Sequence, residues 1–594
     1  MMNNLKLKLL REKMKDQEID AYLIPITDPH LGEYLPGHWR IIEWLTGFTG
    51  SAANVVVTAH FAGLWTDSRY FIQAENELKD SGFELVKLNI PHTPEYIDWL
   101  EENLGPDPVI AVDGRILPVG TLKLLNAKLG WKNPIIQLNK DLVSGLWTDR
   151  PPMPDGRAFE HETRFTGESR EEKIRRVRSG MKKLRAGYHL ITSLDDIAWL
   201  LNIRGSDVSY SPLLTAYVLL SDNSLDLFVD PAKIPHDLEN KLANAGVKIY
   251  PYHEAANALK KIEGSSILIT PGTTSAALYY SLPADIEIIE EVSVPTRLKA
   301  IKNSTEIRHI KNVMVKDGVA LTKFFYWLDK TLGKEKVTEI SAADKLLSFR
   351  LEQENCQGAS FATIAAYNEH GASPHYCSTA ESDVELKPEG IFLLDSGGQY
   401  LDGTTDVTRT IALAKPTVQQ KTDFTLALKG TINLALVKFP LGTKGYQVEI
   451  LARKALWDRG MNYGHGTGHG VGFFLNVHEG PQTIGTGASG DMKTIFEPGM
   501  LTADEPAIYR EGEYGFRTEN LILCIEKEKT EYGQFLGFET VTLACIDTSL
   551  IDTDLLTGTE KDWITSYHKE GFSKLKGFLR PEEAEWLENK CRPV

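Results

Sequence analysis

Five residues in the second half of the chain have the side-chain types of a site for two divalent cations. They comprise four carboxylates and one imidazole: Asp395, Asp406, His469, Glu505 and Glu519. Hard divalent cations prefer oxygen ligands, and imidazole suits several metals as well. Two such cations lower the pKa of bound water enough to make it a nucleophile at neutral pH. The set therefore predicts a hydrolytic metal centre.

The sequence around these residues favours a site over five unrelated polar residues. Asp395 follows the apolar run GIFLL, Glu505 lies two residues beyond MLTA, and Glu519 interrupts the strand-like GFRTENLILCI. Acidic groups at apolar strand ends are costly unless cations pair with them. His469 lies among glycines in HGTGHGVG, where the backbone can approach a ligand closely. Taken singly, each residue also has an ordinary explanation as part of a turn, strand or loop; the combination favours a metal centre.

The bulk composition limits the classes of protein to consider. A chain of 594 residues with 42% hydrophobic and 25% charged residues is typical of a soluble protein of several domains. The formal net charge of -16 argues against nucleic acid as a partner. No apolar run approaches the roughly 20 residues needed to span a bilayer, and the charged N-terminus lacks a signal-peptide core. Because no such run is present, we expect no membrane partner. Five cysteines without a CxxC pair indicate reduced thiols in a cytoplasmic protein.

The pattern of elements predicts three domains, and all five residues lie in the third. Strand-like and helical runs alternate in the first third, which indicates an α/β domain, and a weak internal echo predicts a second α/β domain like it. A Pro- and Gly-rich linker candidate spans Arg150–Phe159. From about residue 305, long helices alternate with strand pairs, which indicates an α+β domain. We expect domains at 1–152, 153–303 and 304–594, the last with a helical C-terminal extension.

The start of the third domain has a helix-capping signal. Asn303, Ser304 or Thr305 could cap the first long helix, with Glu306 in its first turn.

Several long motifs then make the chain resemble a known family. They are WLTGFTGSA, LWTDSRYFIQA, PHY, LLDSGGQYLDGTTDVTRT, GHGTGHGVGFFLNVHEGP, DEPAIY and GFRTENL. With them the chain resembles the pita-bread metallopeptidases, which include methionine aminopeptidase, prolidase and aminopeptidase P. Within that group it is similar to the three-domain, cytosolic type of Xaa-Pro aminopeptidase. The resemblance implies two creatinase-N-like α/β domains followed by a pita-bread catalytic domain.

The resemblance also implies which of the two metals each of the five residues would bind. Asp395 would bind one metal, His469 and Glu505 the other, and Asp406 and Glu519 would bridge the two. The family usually works with two manganese ions. The reaction implied is hydrolysis of the N-terminal Xaa-Pro bond of peptides by a hydroxide that bridges the metals, with Glu505 passing the proton towards the leaving amine.

Further residues match family positions around the substrate. His375 matches the histidine that contacts the substrate near the scissile carbonyl, His478 matches a second substrate-contacting histidine, and both count with Glu505 as catalytic. His465 and Phe361 match the wall of the proline pocket. Tyr509 and Arg517 match a pair that orients a metal-binding aspartate, and Arg517 is also expected near the substrate. The resemblance further implies a homodimer acting on peptides with proline at the second position.

Three alternatives remain open from the residues alone. A prolidase would cleave only Xaa-Pro dipeptides, and the two N-terminal domains and WLTGFTGSA favour the aminopeptidase over it. Methionine aminopeptidases usually lack such domains. A non-catalytic peptide-binding protein with this fold would be expected to have lost metal ligands, and all five are present here.

Overall fold

The described chain divides into two compact units. A computed structural model describes residues 2–91, 93–264, 266–486 and 494–594. The N-terminal unit comprises Met1–Thr163 and Glu168–Lys299, and the C-terminal unit comprises Arg164–Gly167 and Ala300–Val594. Among the described residues, no helix combines the length and the apolar composition needed to cross a membrane.

The N-terminal unit contains two six-stranded sheets of the same topology. From one edge to the other, neighbouring strands in each sheet pair parallel, antiparallel, antiparallel, parallel and parallel. The first sheet contains Glu84–Lys87, Ala62–Thr66, Asn54–Thr58, Ala21–Pro25, Val109–Ala111 and Ile135–Gln137. The second contains Val247–Tyr250, Leu225–Val229, Ala216–Ser221, Tyr188–Ile191, Ser266–Ile269 and Glu287–Glu290. The weak echo in the sequence therefore reflects two α/β folds in tandem.

Helices cover these sheets, which explains why the central strands are continuously apolar. The strand AYLIP is buried along its whole length, as expected for a strand with both faces covered. The helices of the first half are Met2–Asp16, Ile41–Thr46, Phe71–Glu77, Glu95–Asn103 and Val119–Leu129. Those of the second half are Arg170–Lys183, Leu194–Leu201, His236–Asn244, Ala255–Leu259, Ala276–Tyr279 and Val294–Ala300. A two-stranded ribbon pairs Phe159–Glu160 with Ile203–Arg204.

The C-terminal unit has the predicted long helices. They are Ser304–Thr331, Glu339–Leu351, Val418–Leu436, Gly445–Trp457, Gly558–Leu575 and Pro581–Lys590. The predicted cap of the first helix is confirmed: Asn303 accepts from the backbone N–H of Thr305 and Glu306, and the Glu306 carboxylate accepts from the Asn303 N–H. The architecture is therefore the expected α/β and α+β multidomain arrangement, with two similar α/β folds followed by an α+β unit.

Two antiparallel sheets of the C-terminal unit carry the five residues. One sheet contains Ile364–Tyr367, Ile391–Ser396 and Val407–Ala412. The other has the order Lys438–Pro440, Gly533–Thr540, Asn520–Thr530, Leu501–Asp504, Gly468–Gly470 and Glu479–Ile484. Smaller sheets contain Cys356–Ala359 with Gly398–Tyr400 and Gly403–Thr404, and Ala507–Arg510 with Tyr514–Arg517.

Candidate metal centre

Each of the five residues lies in a strand or immediately beside one. Asp395 lies inside the strand Ile391–Ser396, and Asp406 immediately precedes the strand Val407–Ala412. These two strands pair with each other. Glu505 immediately follows the strand Leu501–Asp504, and Glu519 immediately precedes the strand Asn520–Thr530. These two strands pair with each other. His469 is the middle residue of the short strand Gly468–Gly470. Strand pairing therefore brings residues that are distant in sequence to one place.

The structure brings all five side chains together in one cluster. Ligand atoms of Asp395, Asp406 and Glu519 lie within 4.8 Å of one another, and the same holds for His469, Glu505 and Glu519. Glu519 belongs to both groups and joins them. A third group of the same size contains Asp406, His469 and His478. His478, expected on the substrate side, thus also lies at the cluster, with its ring centroid 4.3 Å from that of His469.

The cluster concentrates negative charge where water is largely excluded. Burial raises the pKa of Asp406 well above its usual value, and Asp395 raises it further. Burial likewise raises the pKa of Glu519, with Asp406 and Asp395 adding to the shift. The Asp395 Oδ1 atom is buried and has no hydrogen-bond partner among the residues that the structure describes. Mutually repelling, under-satisfied carboxylates of this kind suit divalent cations, which would neutralise them.

The orientation of His469 also fits a metal ligand. Its Nδ1 lies 3.0 Å from the carbonyl oxygen of Gly470 and donates to it. The Nε2 atom, as the acceptor nitrogen of that tautomer, faces the carboxylates at 3.5 Å from Asp406 Oδ2 and 3.8 Å from Glu505 Oε1. A hydrogen bond from the remote ring nitrogen to a carbonyl is how metal-binding histidines are commonly held.

Arg517 and Tyr509 connect the cluster to His465. The Arg517 guanidinium donates to Asp395 Oδ2, to the Tyr509 hydroxyl and, at 3.1 Å, to Thr408 Oγ1. Burial alone would lower the pKa of Arg517, but Tyr509 and Asp395 raise it overall. Tyr509 in turn donates to His465 Nε2 over 2.8 Å. Arg517 is only 2% exposed, so it is not the surface charge that its strand position would also have allowed.

Two supporting residues were not singled out from the sequence. Thr408 donates to Glu519 Oε2 over 2.8 Å, and Arg409 donates to the Glu519 carbonyl over 2.7 Å. Arg409 also donates to the Tyr567 hydroxyl, which belongs to the C-terminal helix Gly558–Leu575. Both residues lie in the motif DVTRT, which could have marked them as candidates. Their hydrogen-bond partners are more than a hundred residues away in the sequence.

Glycines allow the strand of His469 to lie against its neighbours. A Cβ atom on Gly468 would lie 1.9 Å from the Ala503 carbonyl oxygen, and one on Gly470 would lie 2.1 Å from the Glu479 carbonyl oxygen. These positions therefore require glycine for close approach.

A buried ion pair holds the loop that leads into this strand. Arg453 pairs with Glu449, and its guanidinium donates to the carbonyl oxygens of Tyr463 and His465 at 2.6 and 2.7 Å.

His375 and Phe361 lie outside the cluster itself. The carbonyl of Pro374, the residue before His375, accepts from Arg517 at 3.3 Å. His375 is partly exposed, as a substrate contact must be. Phe361 is buried and belongs to the loop that joins the strands Cys356–Ala359 and Ile364–Tyr367.

Comparison with known protein families accounts for most of the chain. Residues 6–137 and 149–306 each match a model of the creatinase/prolidase N-terminal domain. Residues 308–526 match metallopeptidase family M24, and residues 534–594 match the C-terminal region of peptidase M24.

Individual relatives match over the full length. A probable Xaa-Pro aminopeptidase P of Laccaria bicolor is 37% identical over 601 residues, which cover 99% of this chain and 93% of the relative. One of Tuber melanosporum is 37% identical over 615 residues, which cover 99% of each chain. The crystal structure of an X-prolyl aminopeptidase from Caenorhabditis elegans, described as a cytosolic enzyme with a di-nuclear active site, is 33% identical. It covers 100% of both chains with a TM-score of 0.96.

Proposed function

Because the chain belongs to metallopeptidase family M24 and, within it, to the Xaa-Pro aminopeptidases, we propose that it removes the first residue of peptides with proline in second place. The observation that carries the proposal is the cluster of Asp395, Asp406, His469, Glu505 and Glu519, which the fold assembles from five separate strands or the residues beside them. The full-length likeness to Xaa-Pro aminopeptidases supports the proline specificity.

The cluster supports a site for two divalent cations, which we infer to be manganese. Asp395 would bind one ion, His469 and Glu505 the other, and Asp406 and Glu519 both. Shared membership of Glu519 in two ligand groups supports its bridging role. Two cations held in this way would lower the pKa of a water between them and polarise the scissile carbonyl.

Glu505 is the carboxylate best placed to move a proton. Its side chain is 20% exposed, whereas that of Asp406 is 5% exposed. A proton carrier must reach both the attacking water and the leaving amine, so it must face the substrate. We infer that Glu505 Oε accepts the proton from water and returns it to the proline nitrogen as the C–N bond breaks.

The histidines would handle the carbonyl and the proline ring. His375 and His478 would donate hydrogen bonds to the carbonyl oxygen as negative charge develops on it. His465 would face the ring with Nε2 occupied by the Tyr509 hydroxyl, and Phe361 would complete the apolar wall. Arg517 donates hydrogen bonds to Asp395, to the Pro374 carbonyl and to the Tyr509 hydroxyl. It would therefore orient a metal ligand, Asp395, and the residues beside the substrate at the same time.

A substrate panel on metal-stripped and metal-restored protein tests the proposal. We expect cleavage of Xaa-Pro-Yaa tripeptides after addition of manganese, and little cleavage of the matched Xaa-Ala-Yaa peptides. Turnover of Xaa-Pro dipeptides alone would instead indicate a prolidase. Absence of any bound or activating divalent ion would indicate a non-catalytic binding protein. Comparing manganese, zinc, cobalt and magnesium in the same assay tests the choice of metal.

We also propose a homodimer in the cytoplasm. The description of the Caenorhabditis elegans relative as cytosolic supports the location. Light scattering on the purified protein should give about twice the chain mass of 66.3 kDa, and a mass of one chain would contradict the dimer. Cell fractionation tests the location.

A further inference from the structure

A buried glutamate outside the metal cluster binds the segment that carries His375. Glu339 is the first residue of the helix Glu339–Leu351 and has no exposed surface. Its Oε1 accepts from the Tyr367 N–H and from His370 Nδ1, each over 2.8 Å. Its Oε2 accepts from the Tyr376 hydroxyl, also over 2.8 Å. We call residues 367–378 the His375 segment.

The surroundings of Glu339 make this a stable anchor. A carboxylate in the first turn of a helix is stabilised by the helix dipole, and here four donors satisfy it as well, the fourth being Ser378 Oγ at 3.4 Å. The rings of His370 and Tyr376 stack with centroids 4.4 Å apart, which links the two ends of the turn. The hydrogen bond to Glu339 raises the pKa of His370. One carboxylate thus holds the beginning, the middle and the end of the segment.

A second anchor lies on the other side of His375. The Pro374 carbonyl accepts from Arg517, whose guanidinium also binds Asp395. His375 therefore lies between two neighbours with fixed positions: Pro374 is bound to the arginine of the metal cluster, and Tyr376 is bound to Glu339. The imidazole has little freedom to move along the chain direction relative to Asp395.

We propose that Glu339 is a positioning residue for the reaction: through the Tyr376 hydroxyl and His370 it sets the distance from His375 to the metal cluster. The inference rests on the proposed function and deepens it. A displacement of about 1 Å at a catalytic group can cost up to ~100-fold in rate. Loss of the Glu339 contacts should therefore lower catalysis without removing a ligand.

A double-mutant cycle tests whether Tyr376 acts through His375. We expect Tyr376→Phe to lower kcat roughly tenfold on an Xaa-Pro-Yaa peptide, with KM and metal content nearly unchanged. In a His375→Asn background the same change should alter kcat by less than about twofold, because the positioned group is gone. An equal loss in both backgrounds, or no loss in either, would overturn the proposal.

Two matched variants serve as controls. Tyr367→Phe removes a hydroxyl from the same segment, but that hydroxyl donates to the Glu389 carbonyl and not to Glu339. Glu369→Gln makes the Glu→Gln change in the same segment at an exposed position. We expect both to retain wild-type kcat. A tenfold loss in Tyr367→Phe would show general sensitivity of the segment and contradict a specific role of the Glu339 contact.

Hydrogen exchange separates failure of this inference from failure of the proposed function. Glu339→Gln should speed amide exchange in residues 367–378 and leave the strand Val407–Ala412, which does not pair with that segment, unchanged. Unchanged exchange in 367–378 would overturn the anchor even in an active enzyme. If the metal-loaded wild type cleaves no Xaa-Pro-Yaa peptide, the proposed function fails, and faster exchange in Glu339→Gln would still establish the anchor.

Discussion

At the scale of single residues, the buried carboxylates Asp406 and Glu519 oppose folding in the absence of a cation. Each has a pKa raised by burial and by the charge of neighbouring carboxylates. Removing one of these charges should therefore relieve repulsion and at the same time remove a ligand. Stability without metal and affinity for metal should change in opposite directions.

Asp406→Asn tests this opposition because it keeps the shape of the side chain. We expect the metal-free variant to melt at the same temperature as the metal-free wild type or higher, since a buried charge is gone. Metal content should fall below two ions per chain and peptidase activity should be lost. Asp458→Asn, at an exposed position, is the control. Full activity of Asp406→Asn with added manganese would contradict the ligand assignment.

That these five residues lie close together could be predicted from the sequence, because each lies in one of the long motifs; their roles as metal ligands remain a proposal. The motifs GHGTGHGVG, DVTRT and DEPAIY can be recognised in the sequence without knowledge of the fold. The hydrogen bonds that hold these side chains in place could not be predicted in the same way. Thr408 and Glu519 are 111 positions apart, and Arg409 and Tyr567 are 158 apart, so no local pattern connects them.

At the scale of elements, the strand Gly468–Gly470 depends on glycine for its close packing. Gly468→Ala would place a methyl group 1.9 Å from the Ala503 carbonyl oxygen, in the strand that leads to Glu505. Since backbone on both sides would have to move, we expect His469 to separate from Glu505. Metal affinity should fall by more than about tenfold, measured by competition with a chelating dye.

Gly466→Ala is the matched control from the same loop. Its Cβ would lie 3.6 Å from the nearest heavy atom, the Ile484 carbonyl oxygen, which is an ordinary contact. We expect near wild-type metal affinity. If Gly466→Ala and Gly468→Ala lose affinity equally, loop flexibility and not close packing determines the site.

The helix Gly558–Leu575 contains a histidine that should make stability depend on pH. His568 Nε2 accepts from the Ile546 N–H, and burial followed by the charge of Arg409 lowers the pKa of His568 to about 4. The folded protein keeps this imidazole neutral, whereas the unfolded chain protonates it below about pH 6.5. Stability should therefore fall as the pH falls from about 6.5 to 4, by at most ~3 kcal/mol from this group.

Replacing the imidazole by an amide isolates this contribution. His568→Gln keeps an acceptor for the Ile546 N–H and cannot titrate. We expect it to be no more stable than wild type at pH 7.5, and the difference in melting temperature to shift in its favour by pH 5. Other titrating groups affect both proteins equally and cancel in the difference. His236→Gln, at an exposed position, should show no such shift, and a difference independent of pH would contradict the assignment.

At the scale of the whole molecule, the alternation of elements was sufficient to predict two similar α/β folds and a helix-rich α+β domain. The boundaries at 152 and 303 remain a proposal, and two observations refine them. Asn303 is the cap of Ser304–Thr331, so a division before Ser304 removes the cap from its helix. The segment Arg164–Gly167 belongs to the C-terminal unit although the chain on both sides of it does not. Nothing in its composition indicates this membership, because it depends on contacts with residues more than a hundred positions away, among them those of one apolar side chain.

Phe165 is that side chain. It lies outside the continuous stretch Ala300–Val594, but its removal should destabilise the C-terminal unit. It is 6% exposed and packs in a core that includes Ile310 and Met314, and the neighbouring Thr166 carbonyl accepts from Asn303 over 2.8 Å. Phe165→Ala should cost about 3 to 5 kcal/mol, as expected for loss of a buried phenyl ring.

In a thermal scan the transition of this unit is the one that rises on addition of metal, since ligand binding stabilises the unit that holds it. That transition should fall in Phe165→Ala and stay unchanged in Phe159→Ala, where the ring is 40% exposed. Loss confined to the transition that metal does not shift would assign the segment to the N-terminal unit instead.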